Sequence, residues 1–505
     1  MYRAFSRAVE DLYASGEMTL AGGGKRPDKD FDDALFDDAA RKVYEDGGFD
    51  LSMLSEPQAR ALIDETLRVI GTAVDSALPH EVPETLRYAL ENNAFVFSGF
   101  KTFHTLREVG LSMITEKGDI KPFGEFLRDV QQINARYNHN YLYAEYNHAL
   151  AASQMAAKWN DFEQDGDRYN LQYRTAGDDK VREEHAILDG TTLPPSDPFW
   201  DMFLPPNGWN CRCTAVQVRN NKYPASDPEL AMMRGMNCTE GAKKAIFRYN
   251  PGKSLQIFPP KHPYYKAPKE VKEVITRLSE EIRTPEQAVR FILEQEGRRE
   301  WFERGFSSLI KTTRRGVNGF TDMNGLIAMT PERLDRILSG LTRLRQGGEV
   351  SENEADALAT FWHEITHNRN KPGNMLLSKT QTRFMELANE FVARKTLPEF
   401  YESFGGKMQH PEFMDNRVST GYNTMVRNYC KVIELTGANA GKVLETVREF
   451  LFTQPYTKQK DGLVEALIKG GAKKTDGKKL TKGTVGKMIT ECLKEKYFDI
   501  SDLIE

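Results

Sequence analysis

The run Phe361-Trp362-His363-Glu364-Ile365-Thr366-His367 constrains this chain more than any other feature, because its chemistry works only on a helix. Residues four apart on a helix share a face, so both imidazoles can grip one metal ion with Glu364 beside it. The flanking sequence supplies that helix. Ser351-Glu352-Asn353-Glu354 reads as a capping box, and Ala355, Leu358, Ala359, Trp362 and Ile365 then recur at helical spacing as a buried stripe. His363, Glu364 and His367 are expected to face away from that stripe. Zinc lowers the pKa of bound water to about 7, and Glu364 is the general base expected to take its proton. A third ligand is expected from a later helix, and the run Phe384 to Phe391 offers Glu386 and Glu390 one turn apart.

Eighteen residues separate His367 from Glu386. This spacing resembles the gluzincin class of metallopeptidases, in which a ligating Glu follows on a second helix. The resemblance implies that His363, His367 and Glu386 hold one Zn2+. Glu390 is then an outer carboxylate that orients a ligand imidazole. Ala388-Asn389-Glu390-Phe391 also resembles the helix of phage-repressor-cleaving peptidases, which keeps Glu390 open as the alternative ligand. Met323-Asn324-Gly325 predicts a turn feeding a strand over Leu326 to Met329. In zincins such a strand pairs with an extended substrate; an ordinary core strand is the competing reading. Tyr422, Tyr429 and His410 are downstream candidates for a transition-state donor, and the sequence does not select among them.

A chain of 505 residues is expected to form two or three domains. With 39% hydrophobic and 28% charged residues and a net charge of -4, nothing draws the whole chain toward nucleic acid or membrane. No segment reads as a membrane span, and Met1 to Leu20 carries no secretory pattern. The five cysteines are too scattered for a disulfide framework, which predicts synthesis in a reducing compartment. No internal repeat is visible.

From Asp28 to Asp50 the acidic composition predicts a loosely packed arm, followed by helices from Leu51 to Trp159. In the last of these, Tyr137, Tyr141, Ala144, His148, Ala151, Met155 and Trp159 form a core stripe. Prolines between Tyr249 and Glu270 predict an interdomain linker. Thr284-Pro285-Glu286-Gln287 and Thr330-Pro331 restart helix. The expected domains are therefore 1–270, a linker at 271–283, an α-rich domain with one small β element at 284–440, and a lysine-rich tail at 441–505. Few aromatics interleave with Lys469, Lys473, Lys474, Lys478, Lys479, Lys482 and Lys487, so a solvated, partly helical tail is favoured over a nucleic-acid site.

The second informative stretch contains Arg174-Thr175-Ala176-Gly177-Asp178-Asp179, Val181-Arg182, His185, Leu188-Asp189-Gly190, Asp197-Pro198-Phe199-Trp200 and Pro205-Pro206-Asn207-Gly208-Trp209-Asn210-Cys211-Arg212-Cys213. Physically it is a set of Gly/Pro turns carrying buried aromatics, closed by two thiols on one side of an extended segment. It closely resembles the signature of the phage Mu F-like head morphogenesis family, the minor head or minor capsid proteins. The resemblance implies a structural role for Arg174, Asp178, Arg182, His185, Trp200, Trp209, Cys211 and Cys213. His185, Cys211 and Cys213 are a candidate second Zn2+ set, but Cys at i and i+2 lacks the usual two-residue gap. The favoured expectation is packed thiols, an imidazole held by Asp178 or Asp189, and Arg174 and Arg182 as ion-pair struts.

Together these readings predict a multidomain, mainly α protein with small β elements, a Mu F-like head domain followed by a zincin-like domain. The resemblances imply a phage or prophage minor head protein carrying a zinc metallopeptidase. A purely structural, degenerate zincin and a virion-delivered, toxin-like effector peptidase are the alternatives. The implied partners are portal and capsid proteins, a protein or peptide substrate, and packaged DNA at the lysine-rich tail. The implied location is the virion head, with the host cytoplasm during assembly.

Overall fold

The computed structural model describes residues 2–13, 31–371, 373, 376–417, 419–495 and 498–505. Two compact units, Met1–Ser279 and Glu280–Glu505, divide the chain, and both are mainly helical.

In the first unit, helices Asp33–Glu45, Pro57–Ala77, Glu84–Ser112, Phe123–Asn134 and Leu142–Asp165 share one core. Glu84–Ser112 is buried on nearly every side between Ala94 and Leu106, despite carrying Ser98, Lys101 and Thr105 there. The hydroxyls of Ser98 and Thr105 donate back to the carbonyls of Ala94 and Lys101, each at 2.8 Å, so neither needs a partner on another element. Lys101 pairs with Glu145 on the Leu142–Asp165 helix, and both side chains are fully enclosed. Tyr13 Oη donates to the other oxygen of Glu145 at 2.6 Å and lies 3.2 Å from His262 Nε2. Removing one member of such a pair strands a buried charge.

The predicted stripe is the inner face of this region: Tyr137, Tyr141, Ala144, His148, Met155 and Trp159 are buried, and Ala151 is half-buried. The stripe runs through a wider π-type turn at Ala135–Tyr141. The expected loose arm is instead a capped helix. Asp32 accepts from the Ala34 N–H at 3.0 Å, and Phe36, Ala39, Ala40 and Val43 are buried; residues 28–30 of that prediction lie outside the described residues.

The expected linker at 249–270 is also packed. Asn250 donates to the Trp200 carbonyl at 3.0 Å and caps the turn Pro251–Ser254. Gly252 lies so close to Trp159 that a Cβ would meet its side chain at 2.3 Å. Ile257, Phe258, His262 and Tyr264 are buried, so the prolines shape core-lining turns and do not loosen the chain. The boundary moves accordingly from 270 to 279. Residues 271–279 belong to the helix Lys269–Ser279, whose Val271, Ile275 and Leu278 are buried in the first unit.

The end of this unit carries β1 (Tyr169–Arg174), paired antiparallel with β2 (Thr192–Leu193) on one side and β3 (Thr214–Arg219) on the other. Trp159, Leu171, Tyr173, Trp200, Phe203, Cys211, Cys213 and Cys238 form a separate apolar cluster against this sheet. Trp209 joins the larger helical core, stacked on Tyr13.

The second unit opens with the capping box at Thr284 and Gln287. Its sheet has β4 (Ser308–Lys311) and β5 (Gly319–Thr321) flanking β6 (Leu326–Met329), parallel and antiparallel respectively. The Leu326–Met329 strand is therefore the middle one, hydrogen-bonded on both sides, and cannot pair with a substrate. The core reading holds, and the edge moves to β5. Helices Pro331–Arg345, Glu352–Arg369 and Lys379–Lys395 follow, the last two each started by a capping box.

Residues 441–505 are not a solvated tail. Helices Ala440–Thr453, Gln459–Lys469 and Lys482–Cys492 bury Val443, Leu467, Val485, Met488, Ile489 and Cys492 with Phe384, Leu387 and Phe391 of the Lys379–Lys395 helix. The lysines stay on the outer face, where Lys482 pairs with Glu465 at 2.8 Å. Among the described residues no helix is long and apolar enough to cross a membrane.

Replacing Lys101 with Met should lower the stability of the first unit by about 3–5 kcal/mol, because Glu145 is left charged and enclosed. Urea unfolding of the full chain reads this as a shifted midpoint, whereas Arg168→Ala, at an exposed pair with Asp165, should leave the midpoint in place. Equal effects of the two substitutions would contradict the buried-pair account.

Candidate metal centre

The Glu352–Arg369 helix turns its predicted apolar stripe inward, where Ala355, Leu358, Ala359, Trp362 and Ile365 are buried. His363, Glu364 and His367 do face away from that stripe, yet they are buried as well, at 7%, 7% and 8% exposure. The Lys379–Lys395 helix, β5 and the loop before Asn423 cover them. His363 Nε2 and His367 Nε2 lie 3.0 Å apart, and Glu386 Oε2 lies 3.1 Å from His367 Nε2 and 3.4 Å from His363 Nε2. Ligand atoms about 2.0–2.1 Å from a tetrahedral zinc sit about 3.3 Å from one another. The donor set of two imidazoles and one carboxylate, with these separations, fits a zinc ion with one position left open.

Glu390 is one turn beyond Glu386 and does not join that triangle. Its Oε2 is 2.7 Å from His363 Nδ1, an ion-pair contact off the line a ring N–H would take. The other oxygen accepts from Arg394 Nε at 2.8 Å and lies 3.5 Å from Arg417 NH1. Arg417 continues to Asp356 and to Thr360 Oγ1 on the Glu352–Arg369 helix, at 3.2 and 2.8 Å, and Arg333 also reaches Asp356 at 2.8 Å. His363 is thus fixed from behind by a chain of buried charges. Asn389 closes the same junction by accepting from Asn370 at 2.8 Å.

Glu364 points to the other side of the triangle, where Thr321 of β5 donates to its carbonyl at 2.9 Å and to Oε2 at 3.1 Å. Of the three downstream candidates, only Tyr422 reaches the site. Its ring stacks on His363 with centroids 5.9 Å apart, and burial, followed by the negative charges of Glu386, Glu364 and Glu390, raises the pKa of its phenol. Arg394 NH1 and the Arg417 N–H both donate to Asn423 Oδ1, at 2.9 and 3.0 Å, which holds that loop in place. Tyr429 donates to the Leu463 carbonyl in the opposite core, and His410 bonds the Val350 carbonyl.

The electrostatics follow from this enclosure. Burial works against a charge on His363, but the adjacent carboxylates of Glu386 and Glu390 outweigh it and raise its pKa to about 10. Burial likewise opposes the charge on Glu386, while His367 and His363 hold it down at about 2. Glu390 is held far below the usual carboxylate range against burial, by His363 first and then by Arg417 and Arg394. Glu364 moves the other way, because burial raises it more than the two histidines lower it.

A second cluster lies in the first unit. His185, on the short helix Glu183–Ala186, places Nδ1 3.6 Å from both Cys211 Sγ and Cys213 Sγ, and all three residues are buried. Neither expected carboxylate holds this ring. Asp178 makes a bidentate pair with Arg212 at 2.6 Å, and Asp189 accepts from the N–H and hydroxyl of Thr175 at 2.7 and 3.0 Å. The two arginines expected as struts also make polar contacts. Arg174 donates to Gln172 at 3.1 Å, while Arg182 donates to the Trp209 carbonyl and lies 3.4 Å from His185 Nε2.

Residues 121–216 match the family described as Phage Mu protein F like protein. The chain is 37% identical over 67 residues to the Mu-like prophage FluMu F protein of Haemophilus influenzae, covering 12% of this chain and 16% of that protein. It is 48% identical over 42 residues to the F protein of Escherichia phage Mu, which is named for capsid assembly, covering 8% of this chain and 10% of that protein. The chain thus spans less than a fifth of either relative, and the matched family residues lie wholly within the first unit. No solved structure matches.

The shifts fix how metal-free protein responds to pH. A histidine raised from 6.5 to about 10 adds stability that is complete below 6.5 and is lost as pH rises through about 10. Glu386, lowered from 4.5 to about 2, adds stability above 4.5 that is lost as pH falls through about 2. Chelator-treated chain should therefore show its second-unit melting temperature fall between about pH 7 and 10, and His363→Gln should flatten that fall. Identical alkaline slopes in the two proteins would contradict this geometry.

Proposed function

We propose that this chain is a head-assembly protein of a Mu-like phage or prophage whose second unit is a zinc-dependent peptidase. The first half of that reading is supported by the match over residues 121–216 and by the F proteins it resembles. Portal and capsid proteins are the partners, and the virion head and the host cytoplasm during assembly are the locations. The enzymatic half rests on one observation: two imidazole nitrogens and one carboxylate oxygen converge within 3.4 Å, with a second carboxylate beside them.

His363, His367 and Glu386 would hold the zinc, which supplies Lewis acidity and lowers the pKa of bound water. Glu364, raised by burial and steadied by Thr321, takes the proton from the attacking water and passes it to the leaving amine. Tyr422, stacked on His363, offers its phenol to the oxyanion that develops at the scissile carbonyl. β5 is the sheet edge beside Glu364, so Gly319–Thr321 takes the place of Leu326–Met329 as the strand an extended peptide would pair with. Glu390 touches no substrate; it sets the orientation of His363. Exposed lysines on the Lys482–Cys492 helix and the preceding turn form the surface available to packaged DNA.

Two enzymatic roles and one structural role fit a virion component. Processing of head proteins would leave cleaved products in the virion, and delivery to a recipient cell would leave them in that cytoplasm. A degenerate domain would leave none. The Glu364→Gln variant separates catalysis from structure, because it should retain wild-type zinc and lose at least about 10²-fold in peptide cleavage. If wild-type and Glu364→Gln chains behaved alike in cleavage and in head assembly, the peptidase reading would fail. Glu390→Gln should weaken zinc binding about 10–100-fold in a competition titration, as removal of an outer carboxylate does.

A further inference from the structure

We propose that His185, Cys211 and Cys213 bind a second zinc ion, which ties together the loops around the β1–β3 sheet. A sulfur about 2.3 Å and a nitrogen about 2.0–2.1 Å from one tetrahedral zinc stand about 3.6 Å apart. Both Sγ atoms lie 3.6 Å from the same Nδ1. The spacing of the two cysteines, unusual for a zinc knuckle, is explained by the backbone here. Asn210 turns the chain at a φ of 54°, and the following residues run extended into β3, so i and i+2 point to one side.

One imidazole and two thiols, all three buried, form the donor set, and their ligand atoms lie within 4.8 Å of one another. Cys238, at the end of the helix Pro228–Cys238, is fully buried but stands outside that set. The cysteines are free, and Asp178 and Asp189, which would otherwise claim the ring, are engaged with Arg212 and Thr175. With zinc on Nδ1 the ring proton sits on Nε2, and Arg182 keeps its bond to the Trp209 carbonyl. The three ligands come from two separate segments. Between β1 and β3 the chain has only short helices and the two-residue β2, so a metal cross-link supplies order that regular hydrogen bonding does not.

The test uses the full-length chain, reduced, stripped of metal and titrated with Co2+. Sulfur-to-cobalt charge-transfer absorption arises only from thiolate ligands, so the His363 centre is silent. The band should saturate at one cobalt per thiolate site and survive His363→Ala. It should fall by about half or more in each of Cys211→Ser and Cys213→Ser, one thiolate in two, and persist in Cys238→Ser. Absence of the band in the wild-type chain, a reading that depends on no variant folding, would overturn the site. A band indifferent to Cys211→Ser and Cys213→Ser would do the same.

Discussion

The second unit is organised around the buried carboxylate of Glu390. One oxygen faces His363 Nδ1 at 2.7 Å and the other lies between Arg394 and Arg417, all of them almost fully enclosed. A carboxylate in such a place is tolerable only when its partners neutralise it, and those partners come from three parts of the chain. Arg394 is one turn along the same helix, His363 belongs to the Glu352–Arg369 helix, and Arg417 lies beyond, in the segment before Tyr422. Placing Glu390 therefore places the imidazole, the loop and the helix crossing together.

This arrangement gives the C-terminal helices a purpose. The Lys379–Lys395 helix carries Glu386 and Glu390 on one side, while Phe384, Leu387 and Phe391 pack against residues of Ala440–Thr453, Gln459–Lys469 and Lys482–Cys492. A ligand pair held to a few tenths of an ångström needs a helix that cannot slide, and the C-terminal helices provide its second wall. The first unit solves a similar problem differently. Where its helices end, the β1–β3 sheet is short, and His185 with its surrounding thiols occupies the junction.

Much of the candidate site was legible because it is local. The capping box at Ser351, the stripe ending at Ile365 and the Glu pair one turn apart are patterns within single helices, and the structure realises each of them. Arg417, Asp356 and Tyr422 were not legible as site residues, because nothing in their own segments reports that folding brings them to His363. Composition misled in three places. Lysines and glycines after 469 concealed Val485, Met488, Ile489 and Cys492 at helical spacing, a signal that was present in the sequence. Prolines between 249 and 270 suggested a linker although Phe258, His262 and Tyr264 were available to bury, and acidic residues before 50 hid the capped helix that carries Phe36. At Leu326–Met329 the strand was readable but its place in the sheet was not, since the edge is decided by pairing with residues 308–311 and 319–321.

In the proposed function His363, His367 and Glu386 form a metal centre that Glu390 orients without entering it. Anomalous diffraction recorded on either side of the zinc absorption edge, from crystals of the zinc-loaded full-length chain, distinguishes the ligands. The expected peak lies about 2 Å from both Nε2 atoms and from a Glu386 oxygen, with Glu390 still against His363 Nδ1. A peak ligated by Glu390 in place of Glu386, or no peak at this triangle, would rule that centre out.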